Sequence, residues 1–387
     1  MWAKKNNVTP LRKNPRLWKR ILIAALCLVV VTAVLCVAFF YEELNVDAAV
    51  RWFRYLSVQD DENYGVASFD AHASNRFAPF GDGFAVASIA GLETFHADGS
   101  PAGTYAVSLE YPIAQAGKNA VLCYDVSGKS LVLVKKGEGQ VLSLTSDNGF
   151  YDANLSTGDT LCIASSESGY KTVIRVYDDS QKEIYRWFSA TQFMPVCAVS
   201  PSGDYLATIA LGQKDGSFES TLYLFSTKEE EPLFTISLSG EMVYDMTFTA
   251  EKELSVLTEK SLRKFSIQGE ELDAWEHHTA GLTDYTFRGD GFALLSVNMY
   301  DGESPVTVLS VKNGKVLGTL PVQGKLLGIS ACGRYTAVLT SDELIICRSD
   351  MSEYARTPNT WLATHVICRD DGTAIVLGGG ASHIFLP

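Results

Sequence analysis

An all-β propeller of eight blades, carried on a single transmembrane helix, is the fold this sequence predicts, and three observations predict it. A turn flanked by two apolar strands recurs about every 42 residues, which is the period of a four-stranded propeller blade. No segment beyond residue 57 repeats its apolar residues at a helical period. One long uncharged apolar run, residues 21–40, follows seven basic residues.

Lys4, Lys5, Arg12, Lys13, Arg16, Lys19 and Arg20 precede that run with no acid among them, whereas Glu42, Glu43 and Asp47 follow it. About twenty apolar residues at roughly 1.5 Å each cross a hydrocarbon core of roughly 30 Å. Cationic flanks stay in the cytoplasm. The expected order is therefore a cytoplasmic tail over 1–20, a transmembrane helix over 21–40 bordered by Trp18 and Tyr41, and an extracytoplasmic remainder. The run exceeds the about 7 to 15 residues of a signal-peptide core and lacks a small-residue cleavage site.

Over 41–63, Leu44, Ala48, Trp52 and Leu56 recur every fourth residue, which puts an apolar stripe on a short juxtamembrane helix. Asp60, Asp61 and Glu62 read as a solvated linker, and the ectodomain occupies 64–387.

Within it, the turns at Gly81, Gly117, Gly158, Gly203, Glu251, Gly289, Gly333 and Gly372 are 36, 41, 45, 48, 38, 44 and 39 residues apart. Gly81-Asp82-Gly83-Phe84-Ala85 matches Gly289-Asp290-Gly291-Phe292-Ala293, and the turn at 199–207 matches that at 329–337. Each unit carries two further strands, as at 171–177 and 182–188, or at 307–311 and 315–320 around Asn313-Gly314. The short second repeat leaves seven blades as the alternative, and paired β-sandwiches would lack the single period. Only two strands fit after Gly372, near 373–377 and 382–386. An unclosed sheet edge is an aggregation liability, so residues 64–70 are expected to pair with the C-terminal strand as a clasp.

Removing the N-terminal +7 from the net −13 leaves about −20 on the rest of the chain. An acidic surface of that size excludes nucleic acid, whose phosphates need a basic face. Cys27 and Cys36 lie in the apolar run; Cys123, Cys162, Cys197, Cys332, Cys347 and Cys368 are dispersed. A domain above 300 residues builds a core without disulfides, so free, inert thiols are expected.

At Arg51, Trp52 and Phe53, residues 60–69, Asn75-Arg76-Phe77-Ala78 and residues 121–131, the chain resembles an uncharacterised family of single-span, membrane-anchored propeller proteins of Gram-positive anaerobes, known as a domain of unknown function. The likeness covers the whole ectodomain. The turn Ser200-Pro201-Ser202-Gly203-Asp204 also looks like the blades of WD-repeat and TolB-like propellers. The resemblance implies fold and anchoring, and supplies no catalytic residue. Gly-His and Trp-Asp dipeptides are missing, so the partners of WD-repeat proteins do not transfer. The blade motif of quinone-binding propellers is missing too.

Neither metal nor cofactor is expected. There is no His-Glu-x-x-His, no Gly-x-Ser-x-Gly and no Cys/His spacing for zinc. Gly128-Lys129-Ser130 imitates the end of a phosphate loop, but Cys123 stands where that loop needs glycine, and the segment reads as a hairpin turn. The carboxylates Asp178-Asp179, Glu229 to Glu231 and Asp370-Asp371 sit in turns, where Asp bonds local backbone. A cell-surface glycoside hydrolase, which needs two opposed carboxyl groups, is the alternative to a non-enzymatic protein.

Partner recognition is expected on loops at one face. Phe218 tips the segment 211–220, Met299 and Tyr300 the segment 297–305, and Trp275 precedes the solvated pair His277 and His278; aromatics and Met on rigid β supports favour protein recognition. The predicted function is a binding, scaffold or sensing module at the bacterial cell envelope, with a protein or cell-wall glycan as partner.

Overall fold

The computed structural model describes residues 15–40, 51, 55, 65–214, 216–238, 240–277, 280–299 and 305–387. The helix α1 runs Pro15–Phe40, and its described side chains, at 19, 20 and 22–32, are exposed. Among the described residues no helix is long and apolar enough to cross a membrane, so the spanning role read from the sequence passes to the proposed function. Most of the expected juxtamembrane helix, and Asp60 to Glu62, lie outside the described residues.

Residues 65–387 form eight antiparallel sheets, seven of four strands and a last one of three. The blades span 76–106, 112–145, 150–189, 193–237, 243–276, 280–321, 326–357 and 365–385. This settles eight blades over seven. Each of the eight turns read from the sequence falls between the first and second strands of its blade. First strands lie side by side, blade 1 next to both blade 2 and blade 8, so they form the inner wall and the fourth strands the rim.

Burial follows that order. The second strands of blades 2 and 7, Ala120–Asp125 and Tyr335–Thr340, are buried at every position, because both faces of the sheet are covered by neighbouring blades. The rim strand Pro232–Ser237 alternates between half-buried and exposed, the period of two expected where one face meets water. Each junction between blades has its own apolar cluster. In one, Ile209, Leu222 and Leu224 of blade 4 meet Met246, Phe248 and Leu254 of blade 5.

The eighth junction is closed by the clasp. Ser68 pairs antiparallel with Ala381, Phe69 N donates to Gly380 O at 2.9 Å and Ser382 N to Ala67 O at 3.1 Å. The Ser382 hydroxyl accepts from Ala67 N at 2.9 Å and donates to Gly65 O at 2.8 Å. Ala67 and Phe69 then pack with Phe84 and Phe95 of blade 1 and Ile367, Ile375 and Leu377 of blade 8. The short segment thus supplies the missing fourth strand of the sheet.

The expected long loop over 211–220 is mostly strand. Tyr205–Lys214 and Ser217–Ser226 stay in register out to Lys214 opposite Ser217, since alternating side chains and a left-handed Gly216 at φ 81° let the hairpin extend. The described cysteines are unpaired. Burial raises the thiol pKa of Cys123 and Cys347 to about 12 and that of Cys197 and Cys368 further still, so these thiols are unreactive.

Candidate functional site

All first strands enter the ring from one face, which also carries the hairpin tips between second and third strands. On blades 3 to 5 that face gathers aromatic side chains. Tyr151 meets Phe193 edge to face at 5.1 Å, and Tyr170 meets Phe188 at 4.8 Å. The Tyr151 hydroxyl donates to Lys171 O, tying the two pairs together. Phe193 stands opposite Leu211, and Phe218 opposite Gln213, on one hairpin. Phe218 O in turn lies close to Gly240, two residues before Met242. Phe193, Phe218, Tyr170 and Phe188 are each at least 40 % exposed, Tyr244 46 % and Met242 50 %. Monomer surfaces rarely gather so much apolar area without a partner to cover it.

The sequence-derived candidates divide. Phe218 is on this face. Trp275 is half-buried against the junction of blades 5 and 6 and stacks on His277 at 5.5 Å. His277 is buried, not solvated as expected: its N donates to Lys260 O at 2.8 Å and its ring bonds Thr258 O at 3.3 Å. It ends the rim strand Glu271–Glu276 and turns inward to satisfy that loop, a structural role that corrects its assignment as a partner contact. Met299 is the last residue of Ala293–Met299, paired with Ala280. His278 and Tyr300 lie outside the described residues.

Tyr151, Tyr170, Phe188, Phe193, Met242 and Tyr244 were not singled out from sequence, because an aromatic at a strand end reads as core. A signal exists in the pairs Tyr151-Asp152 and Tyr244-Asp245, an aromatic followed by Asp near the start of a first strand. Those aspartates, with Asp284 of blade 6, face the inner wall. Each is half-buried by surface yet enclosed by protein on all sides, as in a narrow channel. Bulges after Val243 and Leu282 turn Asp245 and Asp284 inward.

Main-chain donors take up these carboxylates. Asp152 accepts from the Tyr124 hydroxyl, Ala153 N and, across the blade junction, Cys197 N at 3.0 Å. Asp284 accepts from Tyr285 N at 2.8 Å and, across its own junction, Ile329 N at 3.3 Å. Asp245 accepts from Met246 N at 2.8 Å and from the Tyr285 hydroxyl. Ser330 and Gln115 hold Cys368 N and Leu155 N in the same way. Burial, and then the charge of Asp152, push the Asp245 carboxyl up to about 7; burial raises Asp152 and Asp284 as well. At the far end of the first strands Arg288 of blade 6 donates from Nη1 to Ala116 O of blade 2 at 2.8 Å. Those blades are opposite one another in a ring of eight, so the guanidinium bars that end of the channel. The surface turns carry the carboxylates expected there: Asp178 Oδ1 accepts from Ser180 N and Lys182 N, and Asp371 Oδ1 from Thr373. Among the described residues no group of three or more His, Cys, Asp or Glu could hold a metal ion.

A family model described as a family of unknown function, DUF5711, matches residues 58–354. No curated protein matches the chain. Among solved structures it is similar to a Dos1 propeller, at 10 % identity and a TM-score of 0.54, covering 84 % of this chain and 96 % of that one. BamB from Moraxella catarrhalis matches at 14 % identity and a TM-score of 0.47, over 82 % and 97 %. Hydrazine synthase of Kuenenia stuttgartiensis matches at 13 % and 0.46, over 85 % and 99 %. At these identities the likeness concerns the fold.

Proposed function

We propose that this chain, which belongs to the DUF5711 family of unknown function, is a membrane-anchored binding protein whose propeller engages a protein partner at the cell envelope. The observation that carries the reading is the exposed aromatic face of blades 3 to 5, built on strands that cannot fold over to hide it. Aromatic and Met side chains on rigid supports give large contact area at low entropic cost. Anchoring through 21–40, with the propeller outside the cytoplasm, rests on the seven basic residues before that run and the acids after it.

A hydrolase would find its carboxyl pair in Asp152 and Asp245, whose charges influence one another. Their hydrogen bonds to main-chain N–H groups of their own and the adjoining blade favour a structural duty instead. The test replaces Phe218 or Tyr244 with a photo-crosslinking residue in intact cells, with Lys136 on the opposite face as control. One protein adduct shared by Phe218 and Tyr244 and missing from Lys136 is expected; equal adducts at all three sites would overturn the face assignment. A reporter fused after Pro387 should be active outside the cytoplasm, and activity inside would overturn the anchoring.

A further inference from the structure

Where the clasp meets blades 1 and 8, a cleft of about 420 Å³ opens on the face from which the first strands enter. Phe69 and Phe77 form part of its wall, their rings edge to face at 5.5 Å, and the His365 ring lies 4.8 Å from Phe77. The run Gly378 to Gly380 borders it without side chains, and a Cβ on Gly379 would meet only open space. Asn75, 3 % exposed, completes the wall. Its Nδ2 donates to Asp70 O at 2.7 Å, which fixes the amide and leaves Oδ1 as a buried acceptor without a partner. Buried polar atoms are nearly always satisfied, and an orphan on a cleft wall calls for a donor.

We propose that this cleft is a binding site for a planar, uncharged ring bearing one N–H or O–H donor, indole-like or phenol-like, with the ring against Phe77 and His365 and the donor on Asn75 Oδ1. Aromatic rings pair well edge to face or offset at these separations. The cleft lies within the size range of small-ligand sites, about 300–1,000 Å³. Arg76, whose Nη1 holds Asn75 O at 3.0 Å, disfavours a cation there. Burial and the Arg76 charge lower the His365 pKa, so that ring stays neutral beside the guest. The inference goes beyond the partner face on blades 3 to 5 and does not depend on it.

The test uses ligand-observed NMR on the full chain in detergent micelles, with indole as probe. Saturable binding at a Kd of about 1 mM is expected. N-methylindole, which has lost the donor, should bind about tenfold more weakly. Ala73→Trp, at an exposed position on the rim, should abolish binding with an unchanged melting temperature, while Phe218→Ser should leave it intact. Competition by N-acetyltryptophanamide would identify a protein side chain as the guest; binding of indole alone would identify a free small molecule. No saturable signal up to about 10 mM, equal affinity for N-methylindole, or full binding by Ala73→Trp would overturn the site.

Discussion

Replacing Asp245 by Asn should make the propeller more stable above neutral pH and leave it unchanged near pH 4. The carboxyl sits in the inner wall, and burial plus the charge of Asp152 raise its pKa from 3.8 to about 7. Between those values the native state keeps a proton that the unfolded chain has lost, so stability falls as pH rises through the window. The full difference corresponds to about 4 kcal/mol at 1.36 kcal/mol per pH unit. Because part of the side chain is open to the channel, water screens the charge, and about 2 kcal/mol is the better expectation. For a ring of this size that is about 4 °C in melting temperature. Asn keeps an Oδ1 for Met246 N and Tyr285, so the hydrogen bonds survive the change. The assay is thermal or urea unfolding of both proteins at pH 4, 6 and 8. Curves that run parallel at all three pH values, or a variant weakened equally everywhere, would refute the reasoning.

Three further outcomes are expected. Ser382→Ala removes two buried hydrogen bonds of the clasp and should cost about 1–3 kcal/mol, read from the urea midpoint; deletion of residues 381–387 should abolish the cooperative transition. Gly158→Ala would place a Cβ 2.0 Å from Pro201 O of the next blade and should destabilise by roughly 3 kcal/mol or more, measured by calorimetry. Cys123, Cys162, Cys197, Cys347 and Cys368 should resist iodoacetamide at pH 8 in the folded protein and react in urea, as mass spectrometry would show; native labelling at any of them would contradict the packing.

Much of the architecture was written in local chemistry. A blade needs a tight turn between its first and second strands, and the glycines there, such as Gly203 and Gly372, repeat visibly along the chain. The clasp followed from counting strands after Gly372. The binding face was harder to read. Phe193 and Tyr244 alternate along strands like core residues, and which end of a strand meets water depends on the ring's assembly. His277 illustrates the converse: a polar pair after Trp275 suggests a wet loop, but an unpaired carbonyl on Thr258 draws the ring inside. The inner aspartates escaped notice because their partners, such as Cys197 N, lie on the following blade.

The strand at 65–69 finds its mate more than 300 residues later. A chain delivered in order from its N-terminus must therefore hold Phe84, Val86 and Phe95 bare until the residues around Ala381 arrive. Folding is committed late, by its most distant contact, and such long-range pairings are slow and prone to aggregation while incomplete. During synthesis this protein should lean heavily on chaperones, and a stalled product should be cleared by proteolysis instead of persisting as a partial wheel.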